Sequence, residues 1–485
     1  MTRAGSIFRQ FVKRTLEKCT ASALTGAILF AVHGPAAAAS QTVCVPTWST
    51  SETANTTALQ SAIKKCSAAG TASLPALVDL KPIGSIATAQ ITTVTLSSNI
   101  VLKLETGFTL MGPAPADVGY TGEGSGTPAS MLVGSGLSNV TITGTGTLDG
   151  NGAAYWNIFN QGGSFTNQDR PRIVEMSGKA LNVGANFSDI GANLTGVTFP
   201  TATNDTTQTL KIKNSPKEQL TFESGSSNVL VDGVWIFAPP GRANLGTGNK
   251  KNVAPNTDGI DLTGLTTATV QNCLIDTGDD DIAIKSNKSS APTNNVTVKN
   301  CVFGGGHGLS VGGQETGGVN TVTVSNVWFK GTDFGFKVKT DNSTKDSGTT
   351  NGASYTNSCM LNVGEPIQLT YLFSGGTTSG GVPPTIENIS YNNIIAVAAS
   401  TAGQSALLGE VTGLSDDALN KNIKILNSKI TGTGAKNFTV TNGSLFVGSK
   451  STVATTSGSG GSVAVTTDTG PTVSCPTSIT IPEQL

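Results

Sequence analysis

The sequence predicts an all-β fold, a right-handed parallel β-helix with a short N-terminal capping helix, and three observations carry that prediction. Short runs rich in Val, Ile and Thr recur between Gly, Asn, Ser and Asp: "ITTVTLSSNIVLKL", "LSNVTITGTGTLDGNG", "SNVLVDGVWIF", "TATVQNCLIDTG", "NNVTVKNCVFGGG" and "NTVTVSNVWFKGT". Their alternation reads as strands separated by turns. The last three align at spacings of 28 and 26 residues, with Cys273, Cys301 and Val327 equivalent and Asn272, Asn300 and Asn326 just before them. A period in the twenties with several short strands per unit is what a β-helix needs, and asparagines at one phase predict a stacked amide ladder at a turn. Finally, beyond a leader of 39 residues the chain has 446, more than one globular core supports. No Pro-rich or charged linker divides it, so a core that grows in one dimension is expected.

The leader comes first. Arg3, Arg9, Lys13, Arg14 and Lys18 precede an apolar stretch from Ala21 to Val32, and "GPAAAAS" follows. This is the pattern of an export signal, with an uncleaved anchor as the alternative, so residues 1–39 are expected to be removed and 40–485 to form a single β-helix domain, secreted and extracellular. No later segment approaches the roughly 20 apolar residues of a membrane helix, and no membrane partner is expected.

The clearest helical pattern is "TALQSAIKKCS" at 57–67, which puts Leu59, Ala62, Ile63 and Cys66 on one face. It would cover the open end of the first coil, whose strand edges would otherwise be unpaired.

Taking five basic and one acidic residue away with the leader leaves 25 Lys+Arg against 30 Asp+Glu, a formal charge of −5. That argues against a nucleic-acid partner, which needs a clustered positive surface. Six cysteines remain. Export permits disulfides, and Cys44 with Cys66 is the expected pair; for Cys273, Cys301, Cys359 and Cys475 buried thiols fit at least as well. No Cys or His cluster suggests a metal site.

Aligning the strands locates the chemistry. Ile260 and Leu262, Ile282 and Ile284, Leu309 and Val311, and Phe336 and Val338 form four apolar pairs that would point inward, so the residues between and before them point outward. Asp258, Asp280 and His307 then share one phase in three consecutive coils, with Asp279 beside Asp280 and with Lys337 and Lys339 outward in the fourth. Parallel neighbours lie roughly 4.8 Å apart, so these groups should meet on one face. Crowded carboxylates repel and separate their pKa values, which suits glycoside hydrolysis: one carboxyl must give a proton while another activates water or attacks the sugar. Taken alone, "DTGDDD" could be a calcium loop or a solvated turn, His307 a structural histidine and each lysine a surface residue. His307, the only histidine after the leader, falling in phase with the aspartates favours a site.

In order and spacing, "NTDG", "GDD", "GHG" and the Lys-x-Lys strand resemble the four motifs of the polygalacturonases, pectin-degrading glycoside hydrolases built on a right-handed β-helix. "LQSAIKKC", "GTGTLDGNGAAYW", "RPR" at 170–172, "NSP" at 214–216 and "EPIQL" at 365–369 extend the likeness over most of the chain. The resemblance implies a monomer that hydrolyses α-1,4-linked galacturonan with inversion, without metal or cofactor. It makes Asp279 the general acid, has Asp258 and Asp280 hold and activate water, and has His307 support the acid. Asn256 would order the site; Lys337, Lys339 and Tyr371 would bind substrate. Inversion leads to an expected separation of roughly 6.5 to 9.5 Å between Asp279 and the water-holding pair. Endo action is expected, there being no extra N-terminal module.

Several positions depart from the family pattern. Lys337 stands where Arg is common, which keeps the charge but loses a planar two-pronged donor. Asp281 puts another carboxylate beside the acid, "VGG" follows the histidine motif where Gly-Ser is usual, and Phe373 competes with Tyr371 for the place of an aromatic. The segment from Lys179 to Thr207 lengthens one coil or its loop. Three other readings share the architecture: a hydrolase of rhamnogalacturonan or xylogalacturonan, a calcium-dependent pectate lyase, and a non-catalytic adhesin. His307 and the lysines favour plain galacturonan.

Overall fold

The computed structural model describes residues 40–475 and 478, apart from 125, 162–167, 185–208, 240–253, 341–347, 374–383, 402–403 and 414–419. The leader and most of the 179–207 segment lie outside the described residues. Lys179 to Gly184 do not begin an insertion: they complete the strand Val174–Gly184, with Leu181 opposite Val140 and Val183 opposite Ile142.

Strands of successive coils pair in parallel around an interior of Val, Ile, Leu and Phe, forming the right-handed β-helix. Helix α1 (Glu52–Ala69) is longer than its apolar pattern indicated. The Ser51 hydroxyl accepts from the Ala54 N–H at 3.3 Å and caps it, and Leu59, Ala62, Ile63 and Cys66 are buried as expected. The Cys44–Cys66 disulfide ties the helix to the first strand. A second helix, α2 (Ala153–Gln161), was not anticipated. It is anchored by Trp156, whose indole N–H donates to Ser215 O at 3.1 Å; one short helix between strands leaves too brief a periodic signal to stand out.

The amide ladder forms. Asn272, Asn300 and Asn326 all adopt left-handed backbone (φ 57°, 54° and 53°), which asparagine tolerates better than most residues. Asn300 Nδ2 donates to Asn272 Oδ1 at 3.3 Å and Asn326 Nδ2 to Asn300 Oδ1 at 3.4 Å. Cys273 and Cys301 are buried free thiols, whereas Cys359 and Cys475 are joined, fastening the C-terminal tail to a strand 116 residues earlier. Among the described residues no helix is long and apolar enough to cross a membrane.

The strands that carry the site are β1 (Ile260–Thr263), β2 (Ile282–Lys285), β3 (Leu309–Gly312), β4 (Phe334–Lys339) and β5 (Glu365–Thr370). Their register matches the apolar alignment: Ile260, Ile282, Leu309 and Phe336 are successive partners, as are Leu262, Ile284, Val311 and Val338. All eight are fully buried.

Candidate active site

Since Asp258, Asp280 and His307 each stand two residues before the first inward residue of their strand, one turn region stacks them. Asp279 Oδ1 lies 3.0 Å from His307 Nδ1 and accepts the Asp280 backbone N–H at 2.9 Å. Asp280 accepts from Ser310 Oγ at 2.6 Å on one oxygen and from Lys339 Nζ at 2.8 Å on the other. Asp258 faces Lys285 Nζ at 3.2 Å. The structure thus brings Asp258, Asp279, Asp280, His307, Lys337 and Lys339 onto one face.

Lys337 and Lys339 differ although both point outward. Lys339 is committed to Asp280, whereas Lys337 Nζ lies over the Phe334 ring at 3.7 Å and has no carboxylate within 4.0 Å among the described residues. Phe373 covers both, with ring centroids 5.3 Å from Lys337 Nζ and 4.6 Å from Lys339 Nζ. Tyr371 does not reach the site. It turns into the core, fully buried, where its hydroxyl accepts the Ile386 N–H at 2.8 Å, so the aromatic at the lysines is Phe373. Tyr371 directly follows β5, on the inward phase of Ile367 and Leu369.

Asn256 has left-handed backbone, and its Oδ1 accepts from Arg170 at 2.8 Å. Arg170 is almost wholly buried, donates also to Pro216 O and Pro255 O at 2.9 and 2.7 Å, and lies 4.0 Å from the Phe159 ring centroid. It therefore fixes the turn that presents Asp258, a role that "RPR" alone did not disclose. Asp333 was also missed. Its Oδ2 lies 3.6 Å from His307 Nε2, and the Thr401 hydroxyl donates to its other oxygen, so the imidazole sits between two carboxylates. The only signal was its position just before the Lys-x-Lys strand.

Burial pushes Asp279 up, but His307 and Lys339 outweigh it and hold its carboxyl well below the usual range. His307 moves upward: burial opposes its charged form, but Asp279 and Asp280 favour it. The two opposite shifts favour a shared proton on the imidazole over one on the carboxyl. The carboxyl whose pKa moves upward is instead Asp258, raised well above the ordinary value by burial against the pull of Lys285, with Asp261, Asp279 and Asp280 adding to the rise. Asp280 is lowered because Lys339 overcomes its burial. Asp281 lies beside Asp280 but faces other partners. Fully buried, it accepts from Thr277 Oγ1 at 3.1 Å and from the Gly308 N–H at 3.2 Å, and burial, with Asp276, pushes its pKa well up.

One oxygen of Asp279, one of Asp280 and a ring nitrogen of His307 lie within 4.8 Å of one another. For Asp279 and Asp280 this is closer than the separation expected between acid and base, because the two are sequence neighbours on one turn. These atoms could also face a metal ion, but the Lys339 ammonium and the imidazole already serve as partners of the two carboxylates.

A family model, glycosyl hydrolases family 28, matches residues 82–452. An endo-polygalacturonase of Pectobacterium carotovorum subsp. carotovorum is 27% identical over 347 residues, covering 68% of this chain and 75% of its own. Two solved structures share the fold. A polygalacturonase from Erwinia carotovora ssp. carotovora gives a TM-score of 0.57 at 22% identity over 83% of this chain and 97% of its own. The family 28 exopolygalacturonase of Yersinia enterocolitica gives 0.63 at 16% identity over 90% and 80%.

Proposed function

The chain belongs to glycosyl hydrolase family 28, and we propose that it is a secreted, monomeric, endo-acting polygalacturonase that cleaves de-esterified pectin of plant cell walls with inversion. The observation that carries this reading is the stack of Asp258, Asp279, Asp280 and His307 beside Lys337, a buried cation with no carboxylate partner among the described residues. Such a cation suits the carboxylate of a galacturonate unit.

In the proposed reaction the proton held on His307 moves to Asp279, which gives a proton to the glycosidic oxygen as the C1–O bond breaks, and His307 is reprotonated from solvent once the proton taken up by Asp280 has been released. Water attacks C1 from the other side of the ring, giving its proton to Asp280, which Ser310 and Lys339 keep ionised and oriented. Asp258 holds the same water. None of these steps uses a metal.

Size analysis of polygalacturonate products over time tests the endo mode, with mixed oligomers expected early and monomer or dimer from the outset overturning it. NMR of the first-formed reducing end tests inversion. An unsaturated product, or activity lost to chelator and restored by calcium, would indicate a lyase.

A further inference from the structure

Lys285 has no place in the reaction above, yet its side chain is only 14% exposed and its ammonium lies 2.7 Å from Asp261 Oδ2 and 3.2 Å from Asp258 Oδ2. The register explains how one lysine reaches both. Asp261 faces Ala283 on the neighbouring strand, and Lys285 lies two residues beyond Ala283 on the same outward side. With only a methyl group at 283, the lysine stem can cross back to the preceding coil.

We propose that Lys285 is a positioning residue that orients Asp258 and sets its charge for water activation, with Asp261 competing for the same ammonium. The proposal rests on the reading of Asp258 as one of the two water-holding carboxylates.

Asp258 and Asp261 are 5% and 4% exposed, and a buried carboxylate without a cation is costly enough that it takes up a proton instead. The groups facing Asp258 are Asp261 on β1, Lys285 on β2 and Asp279 and Asp280 on the turn before β2. Of these Lys285 alone is a cation that favours its ionised form, and Asp261, Asp279 and Asp280 work with burial against it. From the preceding coil Glu218 also faces Lys285 and Asp261. Glu218 is itself held by Arg172 at 2.8 Å and Lys217 at 3.2 Å, so those two cations are engaged there. Two carboxylates dividing one ammonium make an asymmetric prediction. Removing the ammonium must keep the proton on Asp258 to higher pH, whereas neutralising Asp261 must release it at lower pH.

The test is the pH dependence of kcat/KM on polygalacturonate. In Lys285→Met the acid limb should move up by about 1 to 3 pH units, so that the loss of activity is greatest at acid pH, while Lys285→Arg should restore the limb. Asp261→Asn should move the limb down. An equal loss at every pH in Lys285→Met, or an acid limb in Asp261→Asn that stays or rises, would overturn the proposal. If Lys285→Met does not fold, the near-isosteric Asp261→Asn decides by itself. Asp258→Asn separates the two layers of the argument. Full activity in it would remove the underlying role of Asp258, whereas its loss together with a pH-independent Lys285→Met defect would remove only the role of Lys285.

Discussion

Lys339 Nζ lies 2.8 Å from Asp280 Oδ2, with both side chains below 10% exposure. The lysine expected from the sequence to meet substrate is therefore the counter-ion of the carboxylate proposed as the base. Truncating one partner of a buried ion pair leaves an uncompensated charge and costs about 3 to 5 kcal/mol. Lys339→Met is expected to lower the melting temperature and, because Asp280 then holds its proton more tightly, to raise the acid limb of kcat. A variant of wild-type stability with an unmoved limb would contradict this arrangement.

Asp279→Asn removes the carboxyl that is proposed to donate the proton. An amide cannot replace it, so kcat should fall at least about 10²-fold, the range of a lost general acid, with KM little changed. The substitution also removes the largest influence favouring the imidazolium, so the His307 titration followed by NMR should shift to lower pH. Near-normal turnover in the folded variant would reassign the acid.

Lys337 should govern recognition of free carboxylates. Burial, with Lys339 nearby, lowers its pKa to about 8 against the pull of Asp280, Asp279 and Glu365. A group with a lowered pKa loses its charge as pH rises through that value, so KM for polygalacturonate should climb above pH of about 8. Lys337→Met should raise KM and reduce the preference for polygalacturonate over highly esterified pectin. Lys337→Arg should be better tolerated and should abolish the alkaline rise, since arginine stays charged. Equal wild-type activity on both polymers, with the ratio unchanged in Lys337→Met, would favour a neutral polymer as substrate.

The tail disulfide should matter for stability more than for chemistry. Cys359 and Cys475 stand 116 residues apart in sequence, and losing a native disulfide typically costs about 2 to 5 kcal/mol. Cys475→Ser should therefore lower the melting temperature while leaving kcat intact at low temperature, because the pair is not among the side chains of the site. An unchanged melting temperature would show that other contacts hold the tail, such as the Thr472 N–H donating to Asn393 Oδ1 at 2.7 Å.

By itself the sequence determined the coil register, and with it the meeting of Asp258, Asp279, Asp280 and His307. A parallel β-helix repeats one local pattern, so apolar pairs such as Ile282 with Ile284 and Leu309 with Val311 specify which residues face outward and in which column they stack. The asparagine ladder was legible for the same reason. Tertiary structure decided what periodicity does not encode. The partners Arg170 and Asp333, and Thr401 behind Asp333, come from other coils and from loops outside the repeat. The difference between Lys337 and Lys339 depends on which anion or ring each finds. The burial of Tyr371 was settled by packing, and the opposite pKa shifts of Asp279 and Asp258 follow from desolvation and neighbouring charge, which depend on distances in space that no spacing along the chain records.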